Sequence, residues 1–272
     1  MPKIKKAAIR KNFLSIVVPV YNQEQTIRKD LARINQVLAE TRFSYEIIAV
    51  IDGKAVDHSY REAKKLKFPS LRVIGYQKNR GKGYAVRFGM ARCKGDKIAF
   101  IDSGMDIDPN GISMILEHME WYNADIVVGS KRHPVSQVKY PPLRKVYSWG
   151  YQILVRILFG LKIRDTQAGL KIARREVLEK VLPRLLVKRF AFDVELLSVA
   201  NYLGFRRIYE APIKLDRERF DFSSTIRFQT VLEMLTDTAA IFYRLRILRY
   251  YRDGNKSKWK FDKDLNFRVN VG

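Results

Sequence analysis

Three aspartates after a predicted strand are the residues of this sequence best suited to chemistry. They lie in the segment K-I-A-F-I-D-S-G-M-D-I-D-P, where the apolar residues 98–101 predict a buried strand that ends at Asp102, and Asp106 and Asp108 follow. Open α/β sheets bind ligands at the carboxyl ends of their strands, and carboxylates suit Mg²⁺ or Mn²⁺ shared with a phosphate. We interpret Asp102 as a metal or nucleotide ligand. Asp108 is interpreted as the N-cap of the helix that the next proline begins.

Polar residues also follow other predicted strands. An apolar, β-branched run predicts a buried strand at residues 13–20, and further strands are predicted at 45–51, 71–76 and 124–130, with helical patterns between them. Successive strand–helix units of this kind indicate a largely parallel sheet with helices on both faces. Because the carboxyl ends of parallel strands share one edge, we expect the residues after the strands to form one site. These are Tyr21, Asn22, Asp52, Asp102 and the segment 130–132.

A glycine-containing turn precedes the third predicted helix, in the segment N-R-G-K-G-Y-A-V. Gly81 and Gly83 would let the backbone approach a ligand closely, Lys82 adds a positive charge, and a helix N-terminus favours phosphate. The spacing fits neither the Walker loop nor the dinucleotide fingerprint, so neither is assigned. A purely structural strand-to-helix turn is an equal alternative.

The net charge indicates an anionic partner. Lysine and arginine total 52 against 28 acidic residues, which gives +24. Nucleic acid, an anionic lipid surface or a phosphorylated substrate would each fit, but no nucleic-acid motif is present, so no nucleic-acid partner is expected. The single cysteine, Cys93, fits a reducing compartment. Neither a signal peptide nor an apolar run long enough to span a bilayer is found, so we expect a cytoplasmic protein that touches a membrane surface.

The second half of the sequence has a different character. Residues 144–160 predict a helix rich in aromatic and aliphatic residues, which either packs in the core or lies against lipid. A polar turn from Asp165 to Gly169 and a helix over 190–203 follow, and one of the two acids near the start of that helix, Asp193 and Glu195, has a structural role. The expected organisation is a basic N-terminal segment 1–12, a catalytic domain 13–222, a basic amphipathic helix 223–252 and a loosely ordered polar tail 253–272.

Seven motifs in order carry a family resemblance. They are V-V-P-V-Y-N-x-E, the strand end at Asp52, N-R-G-K-G-x-A-V-x-x-G, I-D-S-G-M-D-I-D-P, V-V-G-S-K-R, D-T-Q-A-G-L-K and F-D-V-E-L-L. Together they resemble the family-2 glycosyltransferases, and more narrowly the dolichyl- or polyprenyl-phosphate sugar synthases, over residues 13–230. The resemblance implies an α/β GT-A (nucleotide-diphospho-sugar transferase) fold, a mostly parallel sheet flanked by helices, with C-terminal amphipathic helices.

The resemblance also implies roles for individual residues. The nucleotide would be bound by Pro19, Tyr21, Asn22, Glu24, Asp52 and Lys82, and Asp102 matches the first acid of the D-x-D motif that holds the metal on the donor diphosphate. Arg132 and Arg144 match basic positions that face the lipid phosphate, and Asp165 and Gln167 match the turn by the sugar pocket. The second motif acid is Gly104 here, so Asp106 would complete the Mg²⁺ or Mn²⁺ site with Asp102.

The implied activity is a metal-dependent, inverting transfer of a hexose from GDP-mannose or UDP-glucose to a polyprenyl phosphate at the cytoplasmic membrane face. Two alternatives stay open. The first is a transferase with a hydroxyl acceptor, which would need Asp193 or Asp165 as a base. The second is a pseudoenzyme that binds a nucleotide-sugar without catalysis, which would account for Gly104 in place of the second motif acid. Some relatives carry spanning helices after the catalytic domain, so a membrane-protein partner is a further expectation.

Overall fold

The computed structural model describes residues 10–136, 142–189, 191–215, 228–254 and 259–270, with the backbone alone for 142–147 and 228–230. The first half alternates strands and helices. The strands are β1 Arg10–Val20, β2 Ser44–Asp52, β3 Leu71–Tyr76, β4 Gly95–Ile101 and β5 Ile126–Ser130. The helices between them are α1 Ile27–Ala39, α2 Ser59–Lys64, α3 Lys82–Met90 and α4 Gly111–Trp121. The strands predicted from apolar runs are therefore confirmed.

The second half adds two strands to the same sheet and most of the helices of one face. In chain order these elements are α5 Pro142–Phe159, β6 Leu170–Arg174, α6 Arg175–Val181, a 3₁₀ turn Leu182–Arg184, α7 Phe192–Tyr202, β7 Ile208–Pro212 and α8 Phe228–Phe242. A π-helix, Tyr243–Ile247, and a hairpin of β8 Lys260–Asp262 and β9 Phe267–Val269 follow.

Seven strands form one sheet in the order β3-β2-β1-β4-β6-β5-β7. Pairing is parallel except for β6, which runs antiparallel to both β4 and β5. Six strands therefore point the same way and end at one edge, and the turn before β6 reaches that edge from the other direction. The predicted, mostly parallel sheet is confirmed, with β6 as the exception.

Two apolar cores cover the two faces of the sheet. One includes Leu31 of α1 and Ile115 of α4, and the other includes Val86 of α3, Val155 of α5 and Phe192 of α7. Helices thus lie on both faces, as the sequence predicts. In the described part of the chain, none of the helices has both the length and the apolarity needed to cross a bilayer.

The structure differs from the sequence predictions before α4. This helix begins at Gly111 with Asn110 in the N-cap position, so the prediction that Asp108 caps it is wrong. The Asp108 carboxylate instead accepts the backbone N–H of Asn110 at 3.1 Å and lies 3.4 Å from the Arg33 guanidinium. Asp108 therefore stabilises the turn that leads into the helix.

The C-terminal part also differs. Regular helix ends at Phe242, and after the π-helix Arg249 adopts a left-handed φ of 50°, so the helix predicted to reach residue 252 is shorter. This turn brings the hydroxyl of Tyr251 to 2.7 Å from the buried carboxylate of Glu195. The prediction of a loosely ordered tail is wrong for residues 259–270, because Trp259 and Leu265 are buried and hold the hairpin in place.

Candidate functional site

A cavity of about 420 Å³ opens at the carboxyl edge of the sheet, at the ends of β1, β2 and β4. The strand-end residues predicted to share one site meet there in part. The lining comprises Pro19, Val20, Tyr21, Asp52, Asn79, Gly81, Lys82, Ala85, Asp102, Ser103, Asp106 and Arg189. The cavity thus combines three carboxylates with two cations.

Asp52 shapes one wall of the cavity. It is buried, and its carboxylate accepts the backbone N–H groups of Arg80 at 2.7 Å and Gly81 at 2.9 Å and the side-chain amide of Asn79 at 3.2 Å. These bonds fix the loop 79–81, in which Gly81 has a φ of 94° that favours glycine. Asp52 therefore positions the backbone that lines the cavity.

The N-terminus of α3 is not open to a phosphate in the way that the glycine turn suggests. The backbone N–H groups of Gly83 and Tyr84 donate to the carbonyl of Lys188, at 2.8 and 3.3 Å. A β-carbon at Gly81 would lie 2.5 Å from the same carbonyl, so this glycine allows the close approach of two chain segments. The close contact between these two chain segments therefore gives the glycine turn a structural role.

Four charged side chains form a chain of contacts beneath the cavity. The ammonium of Lys82 lies 2.8 Å from a carboxylate oxygen of Asp102 and 3.5 Å from Asp193. The other oxygen of Asp193 is 2.6 Å from the ammonium of Lys171, which also donates to the carbonyl of Ala168 at 2.6 Å. Asp102, directly after β4, is thereby connected through Lys82 to α7 and through Lys171 to the turn before β6.

Burial and charge act in opposite directions on the two lysines. Burial would lower the pKa of Lys82, but the carboxylates of Asp102 and Asp193 outweigh it and raise the pKa above its ordinary value. The pKa of Lys171 is lowered, chiefly by burial and also by the charge of Lys82, against the attraction of Asp193. Lys82 therefore stays protonated at neutral pH, between two carboxylates.

The turn before β6 packs directly against Asp102. The carbonyl of Gly169 accepts the backbone N–H of Asp102 at 2.9 Å. A β-carbon at position 169 would lie 2.1 Å from the carboxylate oxygen of Asp102 that Lys82 contacts. Only a residue without a side chain fits there while Asp102 keeps this position.

The donor set fits a divalent cation shared with a substrate phosphate. Oδ1 of Asp102 is buried and has no hydrogen-bond partner among the described residues, and Asp106 lines the same cavity. The described residues contain no group of three or more histidine, cysteine or acidic side chains arranged to hold a metal. Mg²⁺ is often bound by one or two carboxylates with phosphate oxygens and water, which matches this pair.

Several residues predicted for the site lie beside the cavity rather than in its lining. Glu24 accepts the backbone N–H of His58 at 2.9 Å and so joins the loop before α1 to α2. Asn22, two residues after the end of β1, has a left-handed φ of 54° and is exposed. For these two residues the structure indicates a role in loop geometry, which differs from the predicted nucleotide contact.

The residues predicted near the sugar and the acceptor are also outside the lining. Asp165 accepts the backbone N–H of Lys131 at 3.0 Å, and the amide nitrogen of Gln167 lies 3.0 Å from the sulfur of Met234. Arg132 follows β5 at the same edge of the sheet, and its backbone N–H donates to Ser130. The side chain of Arg144 lies outside the described residues.

Sequence reasoning missed Arg189 and Lys171. Arg189 lines the cavity, and Lys171 is fully buried within the motif D-T-Q-A-G-L-K. A lysine within the apolar run L-K-I-A is a signal that could have been followed, because a buried ammonium requires a carboxylate partner. Of the two acids in α7, Glu195 has the structural role: it accepts the backbone N–H groups of Leu186 and Val187 at 2.9 Å each.

Comparisons with known proteins agree with this arrangement. The family model for glycosyl transferase family 2 matches residues 15–182. The dolichyl-phosphate beta-glucosyltransferase of Dictyostelium discoideum is 31% identical over 248 residues, which cover 85% of this chain and 74% of that protein. The human dolichyl-phosphate beta-glucosyltransferase is 32% identical over 252 residues, which cover 86% of this chain and 76% of that protein.

Solved structures show the same fold at lower identity. Glucosyl-3-phosphoglycerate synthase from Mycobacterium tuberculosis, solved with Mn²⁺, uridine diphosphate and phosphoglyceric acid, has a TM-score of 0.63 at 19% identity, covering 85% of this chain and 78% of that one. Mannosyl-3-phosphoglycerate synthase from Rubrobacter xylanophilus has a TM-score of 0.65 at 16% identity, covering 89% and 76%. These are GT-A folds, as the sequence motifs imply. The chain therefore belongs to glycosyl transferase family 2 and is a glycosyltransferase with a GT-A fold.

Proposed function

We propose that this glycosyltransferase moves glucose from UDP-glucose to a polyprenyl phosphate at the cytoplasmic face of a membrane, with inversion at the anomeric carbon. The observation that carries the proposal is the cavity at the carboxyl edge of the sheet. It sets Asp102 and Asp106 beside Lys82 and Arg189, so carboxylates for a divalent cation and cations for a diphosphate line one space.

The proposed donor site divides between the two ends of this cavity. Pro19, Tyr21 and the loop held by Asp52 would contact the nucleoside, and Lys82 and Arg189 would contact the diphosphate. Asp102 and Asp106 would hold Mg²⁺ or Mn²⁺, which when bound supplies positive charge to the leaving diphosphate. The ammonium of Lys82, held 2.8 Å from Asp102, would fix the orientation of that carboxylate.

In the proposed reaction, an oxygen of the acceptor phosphate forms a bond to the anomeric carbon while the bond from that carbon to the donor diphosphate breaks. The nucleoside diphosphate leaves with the bonding electrons. A polyprenyl phosphate is already an anion at neutral pH, so no base has to remove a proton from it. Arg132 and Arg144 would orient it, because guanidinium groups match phosphate geometry.

A hydroxyl acceptor, the alternative reaction, would need a general base. Asp193 and Asp165 are the two candidates. Asp193 is buried, and its two oxygens lie 2.6 Å from Lys171 and 3.5 Å from Lys82. The carboxylate of Asp165 accepts the backbone N–H groups of Lys131 and Gln167. Neither carboxylate lines the cavity, so neither faces the space proposed for the donor. The geometry therefore favours an acceptor that arrives already ionised.

The relatives support glucose as the sugar. Those from Dictyostelium discoideum and humans are both named dolichyl-phosphate beta-glucosyltransferase. The mycobacterial structure was solved with Mn²⁺ and uridine diphosphate, which supports a uridine nucleotide and a divalent metal. UDP-glucose is therefore proposed in preference to GDP-mannose.

An exposed apolar surface on α5 and α8 supports peripheral attachment to a membrane. The two helices are neighbours, since the hydroxyls of Tyr151 and Thr238 lie 2.8 Å apart. On α5, Trp149 is 62% exposed and Ile157 is 75% exposed. The surface comprises Trp149, Ile153 and Ile157 of α5 and Leu232 and Leu235 of α8. Apolar helix faces with nearby cations suit the interface of an anionic bilayer.

A radiolabelled transfer assay tests the reaction. UDP-glucose, GDP-mannose and UDP-N-acetylglucosamine would be supplied separately with a short polyprenyl phosphate and Mn²⁺ or Mg²⁺. We expect label in the organic phase with UDP-glucose, loss of transfer in Asp102→Asn, and near-normal transfer in Asp108→Asn, whose carboxylate is outside the cavity. Label with GDP-mannose alone would contradict the donor, and release of UDP without labelled lipid would contradict the acceptor.

Vesicle flotation tests the attachment. We expect Trp149→Gln to weaken binding to anionic vesicles, while Trp121→Gln, which changes a tryptophan 75% exposed on α4 on the other face of the sheet, does not. Equal binding by both variants and the unchanged protein would contradict attachment through α5.

A further inference from the structure

The C-terminal hairpin contacts the loop that lines the nucleotide end of the cavity. Asp264, in the turn between β8 and β9, lies 2.7 Å from the guanidinium of Arg80 and 3.2 Å from the hydroxyl of Tyr84. The guanidinium of Arg92 donates a hydrogen bond to the backbone carbonyl of Asp264 at 2.5 Å. The turn is therefore attached to three side chains, one from the loop before α3, one from α3 and one from just after α3, some 180 positions away in the sequence.

The base of the hairpin is attached elsewhere. The guanidinium of Arg184 lies 4.8 Å from the centre of the Trp259 ring, and the backbone N–H of Asn270 donates to the carbonyl of Pro183 at 2.9 Å. Leu265 is buried in the same core as α3 and α7. The hairpin thus connects the 3₁₀ turn after α6 to the loop before α3.

The residue that Asp264 contacts is part of the Asp52 loop. The backbone N–H of Arg80 donates to Asp52, while the Arg80 side chain extends away between the rings of Tyr76 and Tyr84, 5.4 and 4.8 Å from their centres. Asp264 and Asp52 therefore hold the same residue from opposite sides. The hydrogen bond from Arg80 also keeps the pKa of Asp264 below its ordinary value, against the opposing effect of burial.

We propose that the C-terminal hairpin is a functional part of the donor site, and that Asp264 is a positioning residue for nucleotide binding that acts through Arg80. This rests on the proposed function, because the cavity beside residues 79–81 is taken as the site of the nucleotide. The family model ends at residue 182, so the hairpin lies outside the segment that defines the family. The hairpin holds the loop in its binding conformation before the nucleotide arrives, which lowers the entropic cost of binding.

The size of the effect follows from exposure. The side chains of Arg80 and Asp264 are 42% and 53% exposed, so solvent screens their attraction. Exposed ion pairs of this kind correspond to roughly a two- to fivefold change in an equilibrium constant. We expect Asp264→Asn to raise the dissociation constant of UDP and the KM for the nucleotide-sugar by that factor, with kcat unchanged.

The experiment uses the full chain and three point variants, because removing the hairpin would also remove the buried Leu265 and Trp259. Asp264→Asn removes the charge, Asp264→Glu keeps it, and Lys263→Gln changes an exposed neighbour in the same turn. UDP binding is measured by calorimetry, KM and kcat by transfer kinetics, and amide hydrogen exchange over residues 79–84 by mass spectrometry.

The proposal expects weaker UDP binding and faster exchange at 79–84 in Asp264→Asn, restoration in Asp264→Glu, and no change in Lys263→Gln. UDP binding and exchange in Asp264→Asn equal to those of the unchanged protein would overturn it, as would a fall in kcat with KM unaltered. If the unchanged protein bound neither UDP nor GDP, the proposed donor site would fall together with this inference. Normal UDP binding in all variants would refute the role of Asp264 but leave the proposed donor site intact.

Discussion

Replacing Gly169 by alanine tests how strictly the turn before β6 positions Asp102. The new β-carbon would lie 2.1 Å from Oδ2 and 2.5 Å from Cγ of Asp102, whereas ordinary contact begins near 3.4 Å. The carboxylate or the turn must therefore move by about 1.3 Å. A misplacement of about 1 Å in a catalytic group can reduce a rate roughly 100-fold. We expect kcat to fall by about that factor, which corresponds to about 2.7 kcal/mol in the activation free energy.

The folded state should tolerate this substitution better than catalysis does. Gly169 is not among the glycines with positive φ, so alanine adds a steric contact without backbone strain. The assay is sugar transfer at saturating donor over a range of Mn²⁺ concentrations, with the melting temperature measured in parallel. Gly150→Ala is the matched control, because a β-carbon at this position in α5 meets nothing within 4 Å. A Gly169→Ala protein with native stability and more than half the normal kcat would refute the reasoning.

Three further predictions concern charge and backbone. Lys82→Met should reduce transfer at least tenfold, because it leaves Asp102 and Asp193 without the ammonium between them. Lys78→Met, in the exposed part of the preceding loop, should leave transfer unchanged, and transfer kinetics compare the two variants. Asp96→Asn should lower the free energy of unfolding by about 1 kcal/mol at pH 7. Burial alone would raise the pKa of Asp96, but the N–H groups of Phe13 and Asn12 and the charge of Lys97 hold it below its ordinary value. The stabilisation by this carboxylate is therefore present above the unfolded-state pKa and is lost as the pH falls through the folded-state pKa. Urea unfolding should show that the free energies of unfolding of Asp96→Asn and the unchanged protein differ less at pH 3 than at pH 7. An equal difference at both pH values would contradict the assignment. Gly104→Asp should destabilise the protein by about 1 kcal/mol, since the φ of 91° disfavours any side chain, and a urea midpoint at or above that of the unchanged protein would contradict this.

The first half of the fold could be predicted because most of its strands, β1, β2, β4 and β5, are buried on both faces over most of their length. Such strands appear in the sequence as continuous apolar runs, and the residues that follow them must lie at one edge of a parallel sheet. Pro19, Tyr21, Asp52, Lys82, Asp102 and Asp106 do line one cavity at that edge. Asn22 and Glu24 also follow β1, yet neither lines the cavity, and the carboxylate of Glu24 accepts a backbone N–H at the start of α2 instead. A position after a strand does not by itself distinguish residues that line the cavity from residues beside it.

The contacts that depend on distant residues could not be predicted. Lys82 and Asp193 are 111 positions apart, and their approach depends on the antiparallel insertion of β6, whose direction its five residues do not reveal. The hairpin was missed for a similar reason. Its strands have three residues each, too few for a period to be visible, and its stability comes from Trp259 and Leu265 packing on the rest of the molecule.

The geometry of the loop after β4 gives a physical account of the glycine that replaces the second acid of the metal motif. Gly104 has a φ of 91° and the buried Met105 a φ of 58°, so two consecutive residues adopt left-handed conformations. An aspartate at 104 would be strained there, because a left-handed φ places the β-carbon too close to the following carbonyl oxygen. The tight turn instead returns the chain so that Asp106 lines the cavity with Asp102. A spacing of four residues across this turn therefore brings two carboxylates to the same cavity, as the D-x-D spacing of two does in the motif that the sequence resembles.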